Sequence, residues 1–122
     1  MLALVIDDSM LIRHTVCRFL ENRGFKVETA ADGIAALEAL KAMRPDLILT
    51  DLQMPKLNGY QLIDALKANA ETSEIPVLVL AAKPQPENPL VTRVHTFIYK
   101  DLNVEEQLNQ ALENLFPPLA SA

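Results

Sequence analysis

The chain has 122 residues, half of them hydrophobic, with a formal net charge of −5 and an isoelectric point of about 4.9. That length suits one domain with a substantial core, the composition excludes a disordered chain, and the acidic balance argues against unaided binding to DNA or RNA. Cys17 is the only cysteine and no apolar run approaches a membrane span or a signal-peptide core, so an internal disulfide is excluded, a Cys-based zinc site is disfavoured, and a reducing cytoplasm is the expected compartment.

In chain order, Leu2-Ala3-Leu4-Val5-Ile6 is a continuous apolar run closed by Asp7 and Asp8, as expected of a strand buried on both faces. Ser9 can cap a helix whose Ile12, Val16, Phe19 and Leu20 share one side, with Gly24 ending it. Within it Cys17 reads as a packed or half-packed residue and His14 as a solvated or partner-facing one. Phe25 to Ala30 is a weaker, alternating strand suited to a sheet edge. Asp32 can cap a second helix carried by Leu37, Leu40 and Met43 and stopped by Pro45.

Leu47-Ile48-Leu49-Thr50 forms a third strand that ends on Asp51. After a turn around Pro55 and Gly59, Leu62, Ile63 and Leu66 mark a helix, and Pro76 opens the strand Val77-Leu78-Val79-Leu80. Phe97-Ile98-Tyr99 is a short fifth strand ending at Lys100. Asn103 with Glu106 fits a capping box for a last helix with Leu108, Ala111, Leu112 and Leu115 on one side, stopped by Pro117 and Pro118. The stretch from Lys83 to Thr96 breaks the rhythm. Pro84, Pro86 and Pro89 forbid a regular helix there, leaving at most one or two turns from about Leu90 to His95.

Strand-helix alternation with short connections implies an α/β fold, a parallel sheet wrapped by helices on both sides. Ligands of such sheets bind beyond the carboxyl ends of the strands, and Asp7, Asp8, Asp51 and Lys100 all fall there. Acids in such places often only cap the next helix, where they favour the positive end of its dipole. Three of them at one sheet edge repel one another and call for a hard cation such as Mg²⁺, which binds one or two carboxylates and keeps positions open for phosphate oxygens. With Lys100 as a second, mobile positive charge, the set is complete for in-line attack of an Asp oxygen on phosphorus.

Val5-Ile6-Asp7-Asp8-Ser9, the run from Asp46 through Asp51 to Met54-Pro55 with Gly59 following, Ile75-Pro76-Val77 and Lys100 together resemble the response-regulator receiver family over nearly the whole chain. The resemblance implies a doubly wound, flavodoxin-like five-stranded sheet in the order 2-1-3-4-5, a receiver domain over residues 1–118 and a short tail over 119–122. It implies Asp51 as phosphoacceptor and Lys100 as phosphoryl contact. Asp8, Asp51 and the Gln53 carbonyl would bind Mg²⁺ directly, with Asp7 acting through water. Ala82, Gln53 and Lys83 would surround the phosphoryl group. The donor would be a histidine kinase or phosphotransfer protein and the output an unidentified protein target. Neither nucleic acid nor membrane is implied, the expected state is a monomer or weak dimer, and the chain is not an enzyme in the ordinary sense.

The chain also departs from the family. Ala81 stands where a Thr or Ser usually ends the fourth strand, and a methyl cannot donate a hydrogen bond to phosphate. Asp101 replaces the usual Pro after the lysine, and Phe97 takes the place of the switching aromatic. The prolines shorten or remove the helix between the fourth and fifth strands. These departures favour unusual readout, and they support the alternative of a receiver-like interaction module that works without phosphate. A hydrolase with an aspartyl nucleophile is opposed by Gln53, which stands where such enzymes place a second Asp. The absence of a Gly-rich phosphate loop opposes nucleotide binding. Met10 and Met54 are expected to pack near the site, and His95 to border the proline-rich stretch.

Overall fold

The computed structural model describes residues 1–51, 59–81, 96–100 and 103–116. In chain order the elements are β1 (Leu2–Ile6), α1 (Met10–Asn22), β2 (Lys26–Ala30), α2 (Gly33–Leu40), β3 (Leu47–Asp51), α3 (Gly59–Ala68), β4 (Val77–Ala81), β5 (Thr96–Tyr99) and α4 (Val104–Leu115). All strand pairs are parallel, in one sheet of order β2-β1-β3-β4-β5. This is the parallel sheet expected from the strand-helix alternation, in the doubly wound, flavodoxin-like order that the family resemblance implied. The expected loss of a helix between β4 and β5 and the tail at 119–122 concern residues outside those described.

Strand side chains alternate between the two faces, and each face has its own core. Leu4, Ile6, Ile48, Val77, Val79 and Ala81 meet α2 and α3 through Ala36, Leu40, Leu62, Ile63 and Leu66. On the opposite face Val5, Leu49, Leu78, Leu80 and Ile98 meet α1 and α4 through Val16, Phe19, Leu20, Leu108 and Leu112. Burial on both faces explains why β1, β3 and β4 read as unbroken apolar runs. Edge strand β2 instead exposes Lys26, Glu28 and Thr29, charge and polarity that discourage pairing with another chain.

The helix ends follow local chemistry. Ser9 Oγ accepts from the Ile12 N–H and Asp32 Oδ1 from the Ala35 N–H. After α1 the Phe25 N–H reaches the Leu20 carbonyl and the Gly24 N–H the Glu21 carbonyl, a closure that needs the left-handed backbone Gly24 adopts at φ +90°. Asn103 Oδ1 caps the Glu106 N–H, but the Glu106 carboxylate returns to the Asn103 side-chain amide and not to its backbone, so the expected box is half formed. Helix α2 stops at Leu40, before Met43 and Pro45. The Arg44 guanidinium takes the Leu40 carbonyl, and also bonds Glu71 at 2.7 Å. Met43 therefore packs against the core from outside the helix.

At the other sheet edge the Gln107 amide pairs with both backbone groups of Tyr99, donating through Nε2 and accepting through Oε1 at 2.9 Å each. It does for β5 what a sixth strand would do at that residue. Among the described residues no helix is long and apolar enough to cross a membrane.

Candidate functional site

The central strands β1 and β3 both run out into acids at the same edge. Ile6 lies opposite Thr50, so Asp7 comes level with Asp51. Asp7 is fully buried, Asp51 nearly so, and Asp8 is exposed. One carboxylate oxygen from each of Asp7, Asp8 and Asp51 lies within 4.8 Å of the other two. Lys100 follows β5, where its N–H donates to the Ala81 carbonyl and extends the β4–β5 ladder by one residue. Its Nζ stands 2.9 Å from Asp7 Oδ2 and 3.2 Å from Asp51 Oδ2. The four residues picked from the sequence thus meet in one place.

Asp7 is held at several points. Its N–H donates to the Ala30 carbonyl, its Oδ1 accepts from the Ser9 N–H at 2.8 Å, and its carbonyl accepts from Arg13 Nη1 at 2.6 Å. Its Oδ2 is sealed from solvent without an aligned hydrogen bond, so Lys100 meets it as an ion pair. Burial pushes the Asp7 carboxyl above its ordinary range, and the Asp51 charge adds to this. The Ser9 N–H and Lys100 pull the other way without cancelling it. For Lys100, burial pulls the ammonium down, but contact with Asp7 and Asp51 outweighs it and holds the group above its ordinary value.

Three carboxylates against one ammonium leave the site negative, and every donor is oxygen. A buried carboxylate oxygen without an aligned hydrogen bond, beside two further acids, fits a hard divalent cation such as Mg²⁺. Asp7, Asp8 and Asp51 are the described side chains able to hold it. Gln53, Ala82 and Lys83, assigned to the ligand set or the phosphoryl surroundings, lie outside the described residues, as do Met54, His95 and Asp101.

Ala81 ends β4 buried against the α2–α3 core, with no hydroxyl to offer. Phe97 is half-buried on the same face and stacks on Tyr99, ring centres 6.3 Å apart. Met10, expected to pack near the site, is instead 75% exposed at the start of α1. Sequence reasoning missed two supporting residues, Arg13 on the Asp7 carbonyl and Gln107 on the β5 backbone. Arg13 stands six residues after Asp7, a spacing that matches no capping pattern. Gln107 read only as a polar position of the last helix.

Residues 3–113 match the family model of the response regulator receiver domain. The DNA-binding dual master transcriptional regulator RpaA of Synechocystis is 34% identical over 108 residues, covering 86% of this chain and 45% of that protein. The gliding motility regulatory protein of Myxococcus xanthus is 36% identical over 115 residues, covering 92% of this chain and 15% of that protein. The chain therefore spans less than half the length of these relatives. Among solved structures, the chemotaxis response regulator CheY4 of Vibrio cholerae superposes with a TM-score of 0.85 at 30% identity, covering 94% of this chain and 98% of that one. The receiver domain of the sensor histidine kinase PA1611 from Pseudomonas aeruginosa, solved with a magnesium ion coordinated in its active-site cleft, gives 0.82 at 25% identity, covering 93% and 94%.

Proposed function

The chain belongs to the response regulator receiver family, and from that premise we propose that Asp51 accepts a phosphoryl group from a phosphohistidine on a kinase or phosphotransfer protein, in a reaction that requires Mg²⁺. The observation that carries this reading is the meeting of Asp7, Asp8 and Asp51 within 4.8 Å, with Lys100 bridging two of them. An Asp51 oxygen attacks phosphorus, the bond from phosphorus to the donor imidazole breaks, and the imidazole leaves and takes up a proton. Lys100, already 3.2 Å from Asp51, would pair with a phosphoryl oxygen as negative charge moves onto the acceptor. Mg²⁺, when bound, neutralises charge on the transferring group. Asp8 and Asp51 would hold it with the Gln53 carbonyl, and Asp7 would act through water from a position fixed by Ser9 and Arg13.

A receiver acts as a phosphoacceptor that promotes its own modification and its loss. Output would run through docking to a protein target, with residues 1–118 as the domain and the cytoplasm as its compartment. One observation favours a second reading, an interaction module that works without phosphate. Ala81 is buried at the end of β4, where a hydroxyl would be needed to report the phosphoryl group to the loops.

The test is incubation with Mg²⁺ and acetyl phosphate, with intact mass followed over time beside Asp51→Asn. A Mg²⁺-dependent phosphoryl adduct on the wild type alone supports the acceptor. A wild type that stays unmodified, and shows no amide shifts with beryllofluoride and Mg²⁺, gives the phosphate-independent module the better claim.

A further inference from the structure

A groove of about 470 Å³ runs between α1 and the start of α4, on the sheet face opposite α2 and α3. His14, Arg18 and Asn22 line it at successive helical turns of α1, and Arg23 also lines it. The Arg23 guanidinium lies over the Phe19 ring, 4.7 Å from its centre. A guanidinium in such a contact can still bond a carboxylate through its N–H groups. Among the described residues no carboxylate forms an ion pair with Arg18 or Arg23. Glu105, in the first turn of α4, is the one acid among the described residues that line the groove.

Arginines along one groove with no ion-pair partner among the described residues are unexpected on a chain of net charge −5, where carboxylates outnumber cations by 16 to 11. From this charge pattern we propose that the α1–α4 groove docks an acidic segment of a protein partner, with Arg18 and Arg23 each taking a carboxylate. Arginine's planar fork matches a carboxylate with two parallel hydrogen bonds. Asn22, between the two cations in the chain, and Thr15, a turn before Arg18, supply neutral donors, and the volume suits a few side chains rather than a whole interface. Nucleic acid fits less well, because a long phosphate backbone would extend past the groove onto an acidic surface. The proposal stands whether or not Asp51 takes phosphate.

The test is a low-salt NMR titration of the labelled full chain with a short synthetic peptide carrying Glu residues one helical turn apart, beside the same peptide with Gln. The Glu peptide is expected to shift amides of α1 and the first turn of α4, including the Arg18 and Arg23 side-chain N–H signals, and to lose affinity at high salt. Arg18→Glu, a change at an exposed position that leaves the core intact, is expected to weaken binding roughly tenfold, the loss of one charge-assisted pair. Glu105→Gln is expected to strengthen binding by removing the like charge at the groove. Shifts of equal size with the Gln peptide, shifts centred elsewhere, or an Arg18→Glu variant that binds as tightly as wild type would each overturn the proposal. So would inorganic pyrophosphate occupying the groove more tightly than the Glu peptide, since the ligand would then be a small anion.

Discussion

Replacing Lys100 with methionine isolates the electrostatics of the site. The stem is kept and the charge removed, so Asp7 and Asp51 are left buried together without their shared cation. At an effective dielectric of about 20, contacts of 2.9 and 3.2 Å correspond to gross attractions of about 6 and 5 kcal/mol. Lys100's own desolvation offsets much of that, and its side chain is still 21% exposed, which screens more. Removing one partner of a buried pair costs about 3–5 kcal/mol, and partial exposure places this case near the lower figure, about 3 kcal/mol. For a chain of this size that lowers the melting temperature by roughly 10 °C.

The deficit has a defined pH dependence. Asp7's carboxyl is raised in the folded protein, so protonated Asp7 favours the fold, and that contribution is complete below 3.8 and lost as pH rises through the raised value. Without Lys100 the ionised form is worse still, so the variant's deficit is largest near neutrality and shrinks as pH falls towards 4. Lys100's pKa is raised above 10.5, so in the wild type its contribution persists to that pH and is lost only as pH climbs through the higher folded value. Thermal melts of both proteins in EDTA at pH 7.5 and near pH 4 measure this, and excess Mg²⁺ at pH 7.5 is expected to recover part of the loss. Equal stability at pH 7.5, or a deficit unchanged at low pH, refutes the reasoning.

Three smaller perturbations check other parts of the structure. Gly24→Ala meets no atom within 4 Å, so its expected loss of about 1 kcal/mol in urea unfolding comes from backbone conformation alone; an unchanged midpoint contradicts the left-handed turn. Gln107→Ala removes two hydrogen bonds to Tyr99 and is expected to cost about 1–3 kcal/mol and to speed amide exchange at Tyr99, with unaltered exchange as the contrary result. Burial, and then Glu21, raise the Cys17 thiol pKa against the pull of Arg13. At a given pH less thiolate is present than on a free cysteine, so iodoacetamide is expected to react more slowly than with a free thiol and to accelerate as pH rises past the ordinary thiol range. A rate equal to that of free cysteine at pH 8 contradicts this.

The sheet and the meeting of the acids were legible in the sequence for a physical reason. Strands covered on both faces must be apolar throughout, so Leu2–Ile6, Leu47–Thr50 and Val77–Leu80 stood out, and polar residues at their ends marked the open edge. What escaped depends on contacts between distant residues. Leu37, Leu40 and Met43 keep helical spacing up to Pro45, yet α2 ends at Leu40, where Arg44 takes its carbonyl and Glu71 its side chain. Arg13 and Gln107 act on backbone groups of Asp7 and Tyr99, and no spacing rule names a carbonyl as a partner. Met10 was misplaced because the start of α1 turns it outward to solvent.

The most direct test of the acceptor is chemical identification of the modified atom. After reaction with acetyl phosphate and Mg²⁺, borohydride reduction of an aspartyl phosphate yields homoserine, which peptide mass spectrometry can locate. Homoserine at position 51, formed only with Mg²⁺ and absent when EDTA is present, is the expected result. Homoserine at position 7 or 8, or none under conditions that modify a control receiver, contradicts the assignment of Asp51 as the phosphoacceptor.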